Sequence, residues 1–284
     1  MKDSREDTES IRSEFREHHS RSSGIFFKAK KVLFRKRSNY QEIEVIQNEH
    51  FGKMLVLDGL VQTTEKDEFF YHEMLVHPAI MTHHSPQRVL IIGGGDGGGL
   101  KEVLRYPLKE AYLVEIDALV VEVSRKFFPW LSASFEDERA KLLIAEGKDF
   151  LRRSDESFDV VIVDSSDPVG PSRSLHEEGF FMEVKKHLNP GGIVATQVGS
   201  PFYHLDSISR KNAYLQNVFQ VVRFYLAPVP TYPGGSWCFV FLSDRADPLT
   251  IRREPPEGLK YYSREIHEAS FALPPYLRNV LEVE

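Results

Sequence analysis

Two carboxylates stand three residues apart just beyond an apolar run. Val160-Val161-Ile162-Val163 is followed by Asp164-Ser165-Ser166-Asp167-Pro168-Val169-Gly170-Pro171. The run reads as a buried strand, and the carboxyl end of such a strand is where open α/β sheets bind ligands. Pro168 and Pro171 stiffen the segment after the acids. Paired like charges in a crevice are costly unless a cation meets them. The chemistry this suits is capture and deprotonation of an alkylamine. A lysine-type amine has a pKa of about 10.4, so on the order of one molecule in a thousand carries a free lone pair at neutral pH. Exposing that lone pair costs about 4–5 kcal/mol. A carboxylate that binds the ammonium and takes its proton as the new bond forms offsets part of this, and alignment of the reacting atoms supplies more. The competing reading is a capping turn with solvated acids.

A second candidate seat begins where Val89-Leu90-Ile91-Ile92 runs into Gly93-Gly94-Gly95-Asp96-Gly97-Gly98-Gly99. Strand, glycine turn and helix in this order allow close approach of a nucleotide-like ligand. Glu115 ends the next strand about twenty residues on, where an acid can hold ribose hydroxyls. Asp117 is placed to cap the following helix. Asp96 opposes a pyrophosphate, because anions favour a bare helix N-terminus. It equally opposes the carboxylate of intact S-adenosylmethionine, and would favour an ammonium with no neighbouring carboxylate, as in decarboxylated S-adenosylmethionine. Its alternative role is a helix cap.

Supporting side chains come from elsewhere. Tyr71 and His72 fall on a helix expected from Thr64-Glu65-Lys66-Asp67 to about Thr82 and disturbed near Pro78. Gln197 ends a buried strand, where an unpaired amide would be costly. Tyr232, in Pro230-Thr231-Tyr232-Pro233, is a pocket candidate or a packing residue. His18-His19 and His83-His84 lack metal-ligand spacing, and no metal is expected. The single cysteine, Cys238, reads as a buried strand residue and suits a reducing compartment.

These side chains must be held by a doubly wound, mostly parallel α/β sheet, since strands and helices alternate from Arg88 onward. Residues 25–64 read as a small antiparallel β domain, with Asp58-Gly59 as a hairpin turn. In it Ile43 and Val45 alternate with Glu42 and Glu44 as a half-buried strand, and Gln41 shares the parity of Ile43. Residues 1–24 read as a polar, mobile tail without the apolar core of a signal peptide. Residues 65–284 form the α/β domain with a C-terminal extension. A net charge of −6 suggests no nucleic-acid partner, and no apolar run is long enough to span a membrane. A cytoplasmic location is expected.

The motifs together resemble the spermidine synthases, the polyamine aminopropyltransferases. The resemblance rests on Tyr40-Gln41-Glu42-Ile43, Phe51-Gly52, Leu57-Asp58-Gly59, Asp67 through Glu73, Gly93 through Gly98, Glu115-Ile116-Asp117, Asp164 through Pro171, Pro230 through Pro233, Tyr261 through His267 and Phe271 through Pro274. It implies a methyltransferase-like (Rossmann-like) sheet beside a small β domain, assembled as a homodimer or homotetramer. It implies transfer of the aminopropyl group of decarboxylated S-adenosylmethionine, a co-substrate, to putrescine or another amine. Asp164 would then accept the proton. Ser165, Ser166 and Asp167, with His72 and Asp96, would line the amine and aminopropyl site. Tyr71, Gln197 and Tyr232 would complete the acceptor pocket. Gln41 and Glu115, with Gly93 and Gly95 of the loop, would hold the nucleoside, and Glu146, Gly147 and Pro171 would border the adenine. Three features depart from the family pattern. Glu146 replaces an Asp, Gly199 stands where many members carry an acid, and the segment before Gly24 lacks an aromatic-rich start. The competing functions are a methyltransferase using the intact donor and a non-catalytic polyamine-binding protein.

Overall fold

The computed structural model describes residues 14–165 and 175–282. The described chain divides into two units, one ending at Glu68 and the other beginning at Phe69.

In the first unit, β1 (Glu14–His18) and β2 (Gly24–Lys28) pair as an antiparallel hairpin. From Glu14 onward the expected polar tail is therefore strand. Charge hides the alternation. Phe15 and Glu17 face inward and are buried, whereas Arg16 and His18 are exposed. Glu17 is tolerated there because its Oε2 accepts from the Val61 N–H at 2.7 Å and its Oε1 lies 3.2 Å from His19 Nε2. Phe15 sits opposite Phe27, and both pack with Ile46, Met54, Val56 and Val61. Four strands, β3 (Lys31–Arg37), β4 (Glu42–Asn48), β5 (Gly52–Leu57) and β6 (Leu60–Thr64), form an antiparallel sheet in chain order. Asp58 and Gly59 turn β5 into β6 with φ of 46° and 81°, the left-handed pair such a hairpin requires. Strand β4 is more buried than its alternation suggests. Glu44 is buried within 3.3 Å of the Arg35 guanidinium, and Ile46 belongs to the core shared with Phe15.

The second unit is built on seven strands. They are β7 (Arg88–Gly93), β8 (Glu110–Glu115), β9 (Ala140–Ile144), β10 (Phe158–Asp164), β11 (Leu188–Gly199), β12 (Val221–Pro228) and β13 (Ser236–Ser243), in the order β12-β13-β11-β10-β7-β8-β9. Neighbours from β11 to β9 are parallel, while β13 runs antiparallel to both β11 and β12. Alternate residues of the central strands feed separate apolar cores. Val89, Ile91, Val160 and Ile162 belong to one, and Leu90, Ile92, Val161 and Val163 to the other. Burial on both faces explains why these strands read as continuous apolar runs. The strand order reverses between β7 and β10, which puts their carboxyl ends side by side at the switch point.

Helix α1 (Glu68–Thr82) passes through Pro78 without a break. Proline lacks the N–H that would bond the carbonyl of Met74. The buried Tyr225 hydroxyl donates to that carbonyl instead, at 3.0 Å, so the helix continues where the sequence suggested a disturbance. Tyr225→Phe should therefore lower stability by about 1–3 kcal/mol, the cost of an orphaned buried acceptor, in denaturant unfolding. A change within a few tenths would show that the Met74 carbonyl needs no partner.

Candidate active site

At the switch point the backbones of β7 and β10 meet. Gly93 is the register partner of Asp164, and at φ 85° its missing side chain leaves room for the Asp164 carbonyl. Helix α1 brings a second surface over the same spot. The Tyr71 hydroxyl donates to Asp164 Oδ1 at 2.7 Å. The His72 ring occupies the space that a side chain on Gly98 would fill, and its Nε2 lies 3.3 Å from Asp96 Oδ2. The other oxygen of Asp96 accepts from the Gly98 N–H at 2.8 Å. Asp96 thus anchors the start of α2 (Gly98–Val103) and still presents an oxygen to the site. His72, Asp96 and Asp164 offer ligand atoms all within 4.8 Å of one another. Two carboxylates and an imidazole at that spacing could hold an ammonium or a metal ion; the carboxylates alone would accept the several N–H bonds of an ammonium.

The environment tunes Asp164. Burial pushes its carboxyl up, the Asp96 charge pushes it further, and His72 and the Tyr71 hydroxyl pull it back, to about 6. The residue is half-buried. Burial raises the Tyr71 phenol well above its ordinary value, with the Asp164 charge next, so it stays a donor.

Glu115 ends β8 beside the glycine loop. Its Oε2 accepts from the Gly95 N–H at 3.1 Å and its Oε1 from the Asp117 N–H at 2.8 Å. Burial raises its carboxyl to about 7 against these bonds. Each oxygen retains a lone pair for a hydroxyl donor. Asp117 caps α3 (Ala118–Phe127) through the Leu119 N–H at 3.0 Å, as its position implies. After α4 (Pro129–Ser132), the loop past β9 carries Glu146, which caps α5 (Gly147–Arg153) through the Asp149 N–H at 2.6 Å. Gly147 is buried against Ile92 at the end of β7.

On the other flank the Tyr71 ring packs 5.6 Å from Tyr232 and 5.5 Å from Phe239, and Tyr232 packs 4.7 Å from Trp237. Gln197 donates from Nε2 to the Ser165 carbonyl at 2.8 Å, and its buried Oε1 has no hydrogen-bond partner among the described residues. Ser165 Oγ lies 3.1 Å from His176 Nε2, and His176 Nδ1 lies 3.1 Å from the buried Lys211 ammonium. The sequence reading missed His176 and Lys211. They lie apart in the chain, Lys211 on α7 (Leu205–Val218) after α6 (Glu178–Lys186), and carry no motif. Ser166, Asp167 and Pro171 lie outside the described residues. Gln41 belongs to the first unit, in a turn where its N–H donates to Ser38 Oγ at 3.1 Å.

The structure thus gathers Tyr71, His72, Asp96, Asp164 and Ser165 around one point, with Gly93, Gly95 and Glu115 on one side and Tyr232 and Gln197 on the other. The strand order, with β13 inserted antiparallel, is that of the methyltransferase-like fold expected from the sequence. Comparison with known proteins narrows the class. The chain belongs to the spermine/spermidine synthase family: the spermine/spermidine synthase domain matches residues 68–251 and the spermidine synthase tetramerisation domain matches residues 15–65. It is 39% identical over 271 residues to a polyamine aminopropyltransferase of Shouchella clausii, covering 94% of this chain and 98% of that one. A relative of the same name from Caldicellulosiruptor saccharolyticus is 40% identical over the same length, with the same shares covered. A crystal structure of spermidine synthase in complex with the transition-state analogue AdoDATO superposes with a TM-score of 0.92 at 37% identity, covering 98% of this chain and 97% of that one. The Thermotoga maritima spermidine synthase gives 0.91 at 37% identity with the same coverage.

Because Asp164 is held above its unfolded value of about 3.9, the folded state binds the extra proton. Its contribution to stability is therefore full below pH 4 and falls as pH rises to about 6. Asp164→Asn removes this dependence. Denaturant unfolding at pH 4, 5, 6 and 7 should show the variant gaining on the wild type across that window. A constant difference would place the Asp164 carboxyl in the ordinary range.

Proposed function

We propose that the chain is a polyamine aminopropyltransferase that moves the aminopropyl group of decarboxylated S-adenosylmethionine to a primary amine such as putrescine. The products would be spermidine and methylthioadenosine. The observation that carries this reading is the cluster of Asp164, Asp96 and His72, with Tyr71 donating to Asp164 at 2.7 Å. It is an acceptor-rich point beside a loop suited to a nucleoside.

In the reaction, the acceptor ammonium docks on the acids and gives one proton to the Asp164 carboxylate. The freed lone pair attacks the methylene bonded to the sulfonium sulfur. The carbon–sulfur bond breaks with its electrons passing to sulfur, which leaves as a neutral thioether. A carboxyl raised to about 6 is still ionised at neutral pH, yet is a stronger base than an ordinary aspartate. Tyr71 orients the Asp164 oxygen. Asp96 attracts the aminopropyl ammonium and repels a carboxylate, which disfavours the intact donor of a methyltransferase. Asp167, Ser165 and Ser166 serve the acceptor, joined by Gln197 and Tyr232. Glu115 takes the ribose hydroxyls, and Glu146, Gly147 and Pro171 border the adenine.

The match of residues 15–65 to the tetramerisation domain supports a homodimer or homotetramer. Among the described residues no helix is long and apolar enough to cross a membrane. The single cysteine suits a reducing compartment, and we place the reaction in the cytoplasm.

The test is incubation of the purified chain with decarboxylated donor and a panel of amines, reading products by mass. Methylthioadenosine and an amine heavier by one aminopropyl group are expected. Binding of polyamine without methylthioadenosine would overturn the reading, as would tighter calorimetric binding of the intact donor. Asp164→Asn should lower turnover by about a hundredfold or more, the lower end for a general base, with donor affinity kept. An unchanged turnover would remove Asp164 from that role.

A further inference from the structure

Glu73 follows Tyr71 and His72 on α1 but lies about 200° around the helix from Tyr71. It is buried, at 2% exposure. Its carboxylate accepts three consecutive backbone N–H groups, from Lys260 at 2.9 Å, Tyr261 at 2.9 Å and Tyr262 at 2.7 Å. A buried carboxylate is stable only when so satisfied, and three adjacent amides form a concave anion seat. Side chains of the same segment reinforce the contact. Tyr261 packs 4.8 Å from Phe70, Lys260 lies over the Phe69 ring, and Tyr262 packs 5.0 Å from His77. Tyr262 is held in turn by His267, whose other nitrogen meets the Pro248 carbonyl at 2.6 Å.

The same extension also closes the far end of α1. The last turn of the helix carries no basic residue. Arg252 donates to the Met81 and Thr82 carbonyls, each at 3.0 Å, and Arg253 donates to Ile80, His83 and His84. Two guanidinium groups from a distant segment thus complement the negative end of the helix dipole. The groups that touch α1 here, on Arg252, Arg253 and residues 260–262, all lie after 251, where the match to the spermine/spermidine synthase domain ends.

We propose that Glu73 is a positioning residue: by gripping the backbone of residues 260–262 it fixes α1 so that the Tyr71 hydroxyl stays on Asp164. The role rests on the aminopropyl-transfer reading of the site. Displacements of about 1 Å far from reacting atoms can cost two orders of magnitude in rate, and the Tyr71–Asp164 contact is a single hydrogen bond.

The test compares Glu73→Gln, Glu73→Asp, Tyr71→Phe and the Tyr71→Phe/Glu73→Gln double variant in the full chain. One readout is the pH dependence of kcat/KM. The other needs no turnover: the carboxyl 13C resonance of Asp164 in aspartate-labelled protein, assigned by its loss in Asp164→Asn. Among the described residues Asp164 is faced by Asp96 from the glycine loop and by Tyr71 and His72 from α1. Glu73→Gln leaves all three in place. Since the Tyr71 bond holds the Asp164 carboxyl down, loosening it should move that titration upward by about half a pH unit or more, the direction Tyr71→Phe gives. The double variant should shift by less than the sum of the two single variants, since only His72, also on α1, is then left to loosen. At pH 7.5 kcat/KM of Glu73→Gln should fall about tenfold or more, and Glu73→Asp, which keeps the charge, should recover part of both effects. Should Glu73→Gln fail to fold, Glu73→Asp carries the comparison, with a smaller shift of the same sign. A lowered melting temperature with Asp164 titrating as in the wild type, or fully additive shifts, would overturn the proposal. If no amine is aminopropylated, the functional reading fails, while the resonance titration still decides the role of Glu73.

Discussion

Two largely buried acids held close together set the terms for the rest of this molecule. Asp164 and Asp96 come from different strand ends, yet the reversal of strand order between β7 and β10 leaves them facing one point. Burial and mutual repulsion both push Asp164 toward the neutral acid. The Tyr71 hydroxyl and His72 push the other way, and the balance near 6 leaves a carboxylate that is charged at neutral pH and still basic. Helix α1 supplies both restraining groups, so its placement sets the Asp164 carboxyl as directly as the sheet does. That explains the density of contacts on α1: Tyr225 replaces the bond lost at Pro78, Glu73 grips residues 260–262, and Arg252 and Arg253 close its carboxyl end.

The parts of this arrangement legible in the sequence are those set by local rules. Val89–Ile92 and Val160–Val163 read as buried strands because both faces are covered, and the glycine loop, Glu115 and Asp117 follow at spacings fixed by the βαβ unit. Asp58-Gly59 announced its hairpin through backbone conformation alone. What stayed hidden depends on long-range partners. An inward-facing Glu17 disguised β1 as tail, since the amide of Val61, far along the chain, helps make that residue tolerable inside. Pro78 looked disruptive because its remedy is a hydroxyl on β12. His176 and Lys211 join Ser165 through contacts that no spacing encodes. The half-buried pattern of β4 understated its burial, because Glu44 is neutralised by Arg35 on the neighbouring strand.

Asp96 shows how one carboxylate can hold a backbone amide and still present an oxygen to the site. A carboxylate has two oxygens and about four acceptor positions. One oxygen takes the Gly98 N–H, which fixes the start of α2, and the other stands by His72. The Gly98 bond holds the carboxylate in place, and a fixed charge discriminates better than a mobile one because it need not be ordered when a ligand arrives. Glu115 works in the same way. The Gly95 and Asp117 amides orient it as it ends β8.

Gln197 extends this logic to the acceptor side. Its Nε2 donates to the Ser165 carbonyl, one residue from Asp164. The reverse orientation would set one carbonyl oxygen against another, so the amide must direct its own oxygen elsewhere. That oxygen is buried and has no hydrogen-bond partner among the described residues, a condition that costs about 1–3 kcal/mol until a donor arrives. Around the same point Asp164 and Asp96 offer only acceptors. A protonated alkylamine brings three N–H donors and a positive charge, and an alcohol or a thiol brings one donor and none. A protonated alkylamine docked there, as proposed, would therefore meet acceptors suited to its donors and acids suited to its charge, whether the amine is short or long.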